Sequence, residues 1–573
     1  MAGKVRTGVA LVAVGLLAGG TVTSATPNPP GRFDRPEMGF AAPSTVLRDG
    51  PPASVGLDPA PIREADTAIA EWTRGGSPLY PGAVTLLAHN GVIVDRTAVG
   101  HAVKYADAQA ELPADRQVPM RRDTIFDVAS MSKLFTSVAV MCLVDDGRVR
   151  VGERVSVYLP EFGVNGKESI TVQQLLTHTS GLEPTIPLWR DWPDRASRIK
   201  AVMDRAPATP PGVSFTYSDL NLITLGVLVE RLSGKPLDNF VAERITAPLR
   251  LTDTGYNPPA TKLDRIAATE FQASPPRGMV RGQVHDENAW ALGGVAGHAG
   301  VFSTADDLAV LGQAILNGGT YAGRRILRQD TVRAMLTNYN TSFPEDAHGL
   351  GFELDQPWYM GGLSGPHSAG HTGFTGTSLV LDPASRSIAI LLTNRVHPGR
   401  DRGSINAARQ ELATGLSRAL AVRPSAGERH WSTGLGDSAE ATLTGPALPG
   451  TRALRVGFDA FVDAGPGDEL RLEATDRNGS WRSVLVRATG PGAPVGETSA
   501  LSGYGHRSWW RVNAIAPVSD KITLRWRYLT DSRYTGRGVI VDRILVTDGS
   551  RMLLNGEKEP HLMRPVGWEL GSH

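Results

Sequence analysis

The chain has 573 residues, 41% of them hydrophobic and 20% charged, a composition that supplies apolar mass for more than one core. Fifty-nine basic residues stand against fifty-eight acidic ones, and a formal charge of +1 gives no footing for nucleic acid or an anionic membrane surface. The lone cysteine, Cys142, excludes an internal disulfide and a cysteine-based zinc site, and its apolar neighbours mark it as a small buried hydrophobe.

Residues 1–25 carry Lys4 and Arg6, the apolar run Val9–Leu17 and the small residues Thr23-Ser-Ala25. That order predicts a secretory signal peptide and a secreted, extracellular protein. The run is too short for a permanent membrane span, and no longer apolar run follows. Residues 26–52, rich in Pro and Gly, predict a flexible leader.

A first domain is predicted over 53–422. It opens with the amphipathic segment Pro61–Trp72, then a hairpin of Ala83–Ala88 and Val92–Val94 about the turn Asn90-Gly91. Helical patterns follow at Ser130–Val144, Val172–Leu176, Asp219–Leu232 and Ala305–Leu316. A second hairpin is predicted from Thr377–Asp382 and Ser387–Thr393. Hairpins at both ends with helices between predict an α+β fold whose sheet is assembled from distant parts of the chain. From 428 to 573 helical periodicity gives way to short alternating segments, such as Leu454–Phe458, Glu469–Glu473, Ile522–Trp526 and Val539–Val546. This spacing predicts an all-β sandwich or jelly-roll module. More than half of the tryptophans fall here, and the pair Trp509-Trp510 reads as core before it reads as a sugar-stacking platform.

Chemistry is concentrated in short motifs. Ser130-Met-Ser-Lys133 heads an apolar helix, where a spacing of three puts serine and lysine on one face. The helix dipole favours negative charge developing on the serine oxygen, and burial lets a lysine lose its proton and act as base. Ser197-Arg-Ile-Lys200 has the same spacing but lies in a polar, basic stretch. Tyr217-Ser-Asp219 precedes another apolar helix. Tyr217 is a candidate proton relay if a nearby cation lowers its pKa, and Ser218 or Asp219 is equally a helix cap. His371-Thr-Gly373 precedes a strand and offers an imidazole, a hydroxyl and a close backbone approach to an acyl substrate. His285, Asp286, Glu287 and His298 fit no helical ligand spacing and read as structural hydrogen-bonding groups, so no metal or other cofactor is expected. His178 reads as a satisfied loop histidine. Asp463, Asp468 and Asp542 are at most a thin case for a structural calcium. No Gly-x-Ser-x-Gly elbow occurs, which counts against an α/β-hydrolase.

Together, Ser130-x-x-Lys133, Tyr217-x-Asp219 and His371-Thr-Gly373 resemble the three motifs of the serine β-lactamase and penicillin-binding-protein superfamily. Leu175-Leu-Thr-His-Thr-Ser-Gly-Leu182 and Ser303-Thr-Ala-Asp-Asp-Leu308 are similar to segments of its class C β-lactamase, DD-carboxypeptidase and esterase branch. The stretch from Val284 to Gly300 is similar to low-molecular-weight penicillin-binding proteins. The resemblance covers about residues 55–420 and implies a β-lactamase/transpeptidase-like fold: an antiparallel sheet packed by helices, a helical subdomain, and the site between them. It further implies that Ser130 is acylated, that Lys133 takes its proton and that Tyr217 is a second proton carrier. Ser130 and Phe374 would supply oxyanion N–H groups. Asp219 stands where the family has Asn, a charge able to hold Lys133 protonated. His371 stands where it has Lys, and implies a pH-dependent grip on a substrate carboxylate by His371, Thr372 and Gly373.

The function expected is therefore a secreted serine hydrolase working through an acyl-enzyme, DD-carboxypeptidase-like, on a small-molecule or peptide substrate of peptidoglycan type. A carboxylic-ester hydrolase and a β-lactamase are rivals on the same fold. A non-catalytic cell-wall or glycan-binding protein is the rival of another class, and the C-terminal module is a candidate glycan binder. With every motif before residue 424, activity on small substrates is expected to be independent of that module.

Overall fold

The computed structural model describes residues 31–573 apart from 77, 450–452, 477, 519–520, 534–535 and 573. The segment expected as a signal peptide lies outside the described residues. Among the described residues no helix is long and apolar enough to cross a membrane.

The first unit is built on an eight-stranded sheet. Its main path runs β1 (Arg48–Asp49), β3 (Val92–Val103), β2 (Gly82–His89), β7 (Ser387–Thr393), β6 (Thr377–Asp382), β5 (Ala369–Gly373) and β4 (Glu353–Leu354). All pairings on that path are antiparallel except β1 with β3. Both expected hairpins are present, and they meet at the centre of the sheet, where Leu86 pairs with Ile390. Strand β2 is buried throughout because both faces are covered. Val84 and Leu86 face the core formed with α2 (Ser132–Asp145), α3 (Asp219–Ser233) and α4 (Ala305–Leu316). Ala83 and Leu87 face α1 (Pro59–Glu71) and α6 (Asn406–Ala419). Alternation along a strand thus separates two apolar layers, and α2 lies in the inner one with Ser132 through Leu143 all buried.

The second unit is a pair of antiparallel sheets. One contains β8 (His430–Thr433), β10 (Leu454–Asp463), β12 (Val486–Thr489), β13 (Trp509–Ala516) and β15 (Gly538–Asp548). The other contains β9 (Glu440–Thr444), β11 (Glu469–Thr475) and β14 (Leu524–Leu529). In β14 buried residues alternate strictly with half-buried ones, as one face of a sandwich requires. Trp526 and Trp510 are core. Trp509 is half-buried at the junction with the first unit, its indole N–H donating to Arg423 O (3.1 Å), so the tryptophan pair forms no exposed platform. Asp463, Asp468 and Asp542 accept hydrogen bonds from loop backbone N–H groups, those of Arg537, Gly465 and Ala426 among them. They do not converge on a common point with metal-ligand spacing.

The flexible leader expected over 26–52 is not what residues 31–52 form. Phe33 is 1% exposed, and its N–H donates to Ala421 O (2.8 Å). Ala41 N–H bonds Leu316 O, and Arg48–Asp49 joins the sheet. Proline and glycine erase the periodicity that announces an element, yet this segment has its backbone groups paired with the ends of helices and strands far along the chain.

Candidate active site

Ser130 lies in the 3-10 turn Ala129–Met131 that leads into α2. Ala129 adopts φ +48°, a left-handed conformation costly for a residue with a Cβ. The turn is held by Asp127, which accepts from the N–H groups of Ala129 (2.8 Å) and His285 (2.6 Å). From the other side, the Thr375 hydroxyl donates to Asp127 O (2.7 Å) and that of Thr377 to Val128 O (3.1 Å). The turn joining β5 to β6 is thereby fastened to the start of α2. Gly373 is required at this contact, since a Cβ there would stand 2.3 Å from Val128 O.

Helical spacing brings Lys133 Nζ 2.9 Å from Ser130 Oγ, as the motif predicts. Lys133 is 1% exposed and donates also to His298 O (3.2 Å), while Asp219 Oδ1 lies 2.8 Å away. Burial pulls the lysine toward its neutral form. The charge of Asp219, with Tyr217 beside it, outweighs burial and holds the ammonium above its ordinary range. Tyr217 is half-buried, its ring centroid 4.8 Å from Lys133 Nζ. The tyrosine does not have the lowered pKa that the sequence reading attached to it. Burial raises the phenol, the lysine's opposing pull is smaller, and Tyr217 is a neutral phenol at rest. Nor does Ser218 cap α3 with its side chain; its hydroxyl donates to Glu183 O (2.6 Å). The loop is instead organised by His178, whose Nδ1 accepts from Ser218 N–H (3.0 Å) and whose ring packs 4.6 Å from that of Tyr217.

His371 departs furthest from expectation. It is 1% exposed, its Nδ1–H donates to Thr372 O (2.8 Å), and Nε2 has no hydrogen-bond partner. Burial, reinforced by the Lys133 charge, pushes its pKa down to about 3. A neutral buried imidazole cannot grip a carboxylate as a cation at neutral pH, which corrects the role inferred for it.

Ser130, Tyr217, Thr372, Gly373 and Phe374 line one pocket of about 380 Å³, with Lys133 and Asp219 beside the serine. His371 is not on its surface. The pocket also holds groups that the motifs do not announce: His348, Glu353, Trp358, Arg395 and Arg409. Arg409 donates to the carbonyls of Gly373 (2.9 Å) and Thr377 (3.0 Å) and so is committed to the β5–β6 turn. Glu353 is a buried carboxyl, raised to about 7 by burial. Arg395 is half-buried on the rim, 5.2 Å from the Phe374 ring, and among the described residues no carboxylate forms an ion pair with it. Its only sequence signal is its place directly after an apolar strand. A larger groove of about 1150 Å³ lies elsewhere, along Arg195 and Val295, where Arg195 pairs with Glu230 and Arg231 with Glu161.

The acidic and histidine residues between 284 and 300 are structural supports of this site. His285 bonds Glu270 (2.8 Å) and stacks on Phe374. Arg400 joins Glu270 to Glu287. Asp286, His298 and Asp219 bring one ligand-type atom each within 4.8 Å of one another. There Asp286 Oδ1 lies 2.9 Å from His298 Nε2, and Asp219 Oδ1 lies 2.8 Å from the Lys133 ammonium.

A serine–lysine pair at the head of a buried helix, closed by an antiparallel strand, is the architecture of a class of serine hydrolases. The chain belongs to the Beta-lactamase family, whose model matches residues 73–414. A protein of Escherichia coli (strain K12) named "Putative D-alanyl-D-alanine carboxypeptidase" is 33% identical over 393 residues, spanning 62% of this chain and 87% of that protein. The "N-acetylmuramyl-L-alanine amidase" of Bacillus subtilis (strain 168) is 34% identical over 369 residues, 59% of this chain and 81% of that one. Among solved structures, EstCE1, described as a hydrolase with promiscuous acyltransferase activity, shares the fold. Its TM-score is 0.50 at 19% identity, over 62% of this chain and 99% of that one.

Proposed function

We propose that this chain is an exported DD-carboxypeptidase-like hydrolase acting on peptides that end in a D-amino acid with a free carboxylate, peptidoglycan-derived peptides among them. The observation that carries the reading is Ser130 Oγ, 2.9 Å from Lys133 Nζ, opening on a pocket whose rim holds Arg395, which donates to Arg400 O (2.9 Å) and has no carboxylate partner among the described residues. Ser130 attacks the peptide carbonyl carbon, and Lys133 in its neutral form takes the hydroxyl proton. The N–H groups of Ser130 and Phe374 receive the oxyanion. Tyr217, a neutral phenol at rest, passes its proton to the departing amine and takes back the one held by Lys133; water then attacks the acyl carbonyl, its proton going to Lys133 and on to Ser130 Oγ as the ester bond breaks. Strand β4 pairs only with Ala369 and Gly370, which leaves β5 an open edge at His371–Gly373 for an extended acyl chain. Arg395 replaces His371 as the group that holds the terminal carboxylate. The basic, apolar and small residues of 1–25 support export.

A carboxylic-ester hydrolase is the second reading, favoured by the neutrality of His371, since an ester offers no anion to hold. The deciding experiment is a hydrolysis panel of a D-Ala-D-Ala peptide, a short-chain aryl ester and a cephalosporin, with a fluorescent penicillin as covalent label. Turnover of the peptide at the highest kcat/KM supports the first reading. Ester turnover with an untouched peptide overturns it in favour of the second.

A further inference from the structure

The β-sandwich does not hang from the hydrolase unit on a linker. Phe461 and Ile540 of the sandwich belong to the same apolar layer as Phe33, Leu412 and Leu416. At Gly505 the backbones of the two units touch, since a Cβ there would stand 2.9 Å from Gly365 Cα.

Arg507 reaches furthest across the junction. It precedes β13 at φ +49° and is 2% exposed. Its Nη1 donates to Asp382 Oδ2 (2.6 Å), and its Nη2 to the carbonyls of Leu363 (2.9 Å) and Ser364 (3.3 Å). The guanidinium lies 4.4 Å from the Phe33 ring centroid. Asp382 is fully buried, so this is an ion pair sealed from water, with a planar fork that only arginine supplies.

The groups it grips are the far ends of the hairpin that makes the site. Leu363 and Ser364 open the turn that Ser368 closes, with Ser368 N–H on Gly365 O (2.9 Å), and the chain enters β5 at Ala369. The other end of β5 is Gly373, against Val128, with Phe374 following it over the pocket. Asp382 is the last residue of β6, whose first residue, Thr377, bonds Val128 O. Just upstream, α5 (Pro357–Met360) carries Trp358 on the pocket wall.

We propose that Arg507 is a positioning residue for the acyl site and that the sandwich belongs to the catalytic unit, contrary to the independence its place in the chain suggests. The proposal rests on the reading of Ser130 as nucleophile. Its first readout does not.

The test uses the full chain with Arg507→Gln, Arg507→Lys, Asp382→Asn and the Arg507→Gln/Asp382→Asn double variant. Amide hydrogen exchange is followed over 361–382, and acylation by a fluorescent penicillin and an aryl ester is timed. Arg507→Gln is expected to speed exchange across 361–373 while α2 stays protected, and to slow acylation roughly tenfold or more with KM for the ester little changed. Arg507→Lys falls between it and wild type, and the double variant is no worse than Arg507→Gln, as coupled partners behave. If Arg507→Gln does not fold, Arg507→Lys decides by the same two measurements. Wild-type exchange, or faster exchange with an unchanged acylation rate, overturns the proposal. Failure of every probe to label wild type would sink the Ser130 reading instead and leave exchange at 369–373 to decide for Arg507.

Discussion

Asp219 Oδ1 lies 2.8 Å from Lys133 Nζ, a carboxylate directly on the buried lysine of the site. It counteracts the desolvation that would otherwise free the lysine's proton, so the resting pair is ionic and the reactive neutral amine is scarce at neutral pH. Replacing the charge by an amide of the same shape removes the pull. Asp219→Asn is expected to move the acidic limb of kcat/KM for a neutral aryl ester to lower pH by about one unit or more. A limb that stays in place would show that another group limits acylation.

Ser130→Ala is expected to abolish covalent labelling and turnover, because nucleophile and base act as a unit. Ser197→Ala should label as wild type, since Ser197 sits on an exposed helix start where its hydroxyl caps Asp194 O (2.9 Å). Ser132→Ala should also label, though Ser132 is buried and accepts from Val301 N–H (3.0 Å), so its cost falls on stability. An acyl adduct on Ser130→Ala protein, located by mass spectrometry, would refute the assignment.

Arg395 stays charged across the physiological range, whereas His371 is neutral down to about pH 3. Arg395→Ala should therefore raise KM roughly tenfold or more for a carboxylate-terminated peptide and leave a neutral ester nearly unaffected. The ratio of the two kcat/KM values should be flat between pH 5 and 8 once Glu353, which lines the same pocket and is raised to about 7, is replaced by Gln. A break near pH 6.5 seen only with the peptide in Glu353→Gln would return the anion-binding role to His371.

Gly373→Ala puts a methyl group 2.3 Å from Val128 O, so the strand must withdraw from the turn that carries Ser130. A fold with this much core elsewhere should survive, with a lower melting temperature. Acylation is expected to fall about a hundredfold, the scale of a displacement of about 1 Å in a site. Wild-type kinetics in Gly373→Ala would show that β5 does not set the geometry at Ser130.

Burial holds His89, His348 and His397 near pKa 4 and His371 near 3, all below the value of about 6.5 that an unfolded chain has. For His397 the reason is visible: Nε2 accepts the N–H groups of both Lys104 (2.9 Å) and Tyr105 (3.1 Å) and has no room for a proton. Between pH 6.5 and 4 the unfolded chain binds protons that the folded chain refuses, so stability is present above pH 6.5 and is lost on acidification, by up to about 1.4 kcal/mol per pH unit for each such group. Glu353, Asp66 and Glu557, each raised to about 7, work the other way and take protons in the folded state first. The four histidines outnumber them by one, so the melting temperature should fall only gently from pH 6.5 to 4.5, and His397→Asn should flatten that slope by about one proton. A His397→Asn protein with the wild-type slope would contradict the buried-neutral assignment.

What the sequence determined by itself is local or periodic. The spacing of Ser130 and Lys133 on one helix face needs only 3.6 residues per turn, and the hairpin at Asn90-Gly91 needs only its turn chemistry. The change from helical to two-residue periodicity after residue 424 divides the two units. Tertiary structure decided the charge states and the supports. Whether Tyr217, Lys133 and His371 carry protons depends on how far each is withdrawn from water and on which charge stands beside it. Those neighbours come from separate segments: Asp219 opens α3, and His298 arrives on a loop. Arg395 and Arg507 look like any arginine in a row of letters. Folding leaves one at a pocket rim with no carboxylate partner among the described residues and buries the other against Asp382. Phe33 and Ala41 likewise gain their place from Ala421 and Leu316, hundreds of residues away, because backbone pairing at long range leaves no periodic trace in the chain that makes it.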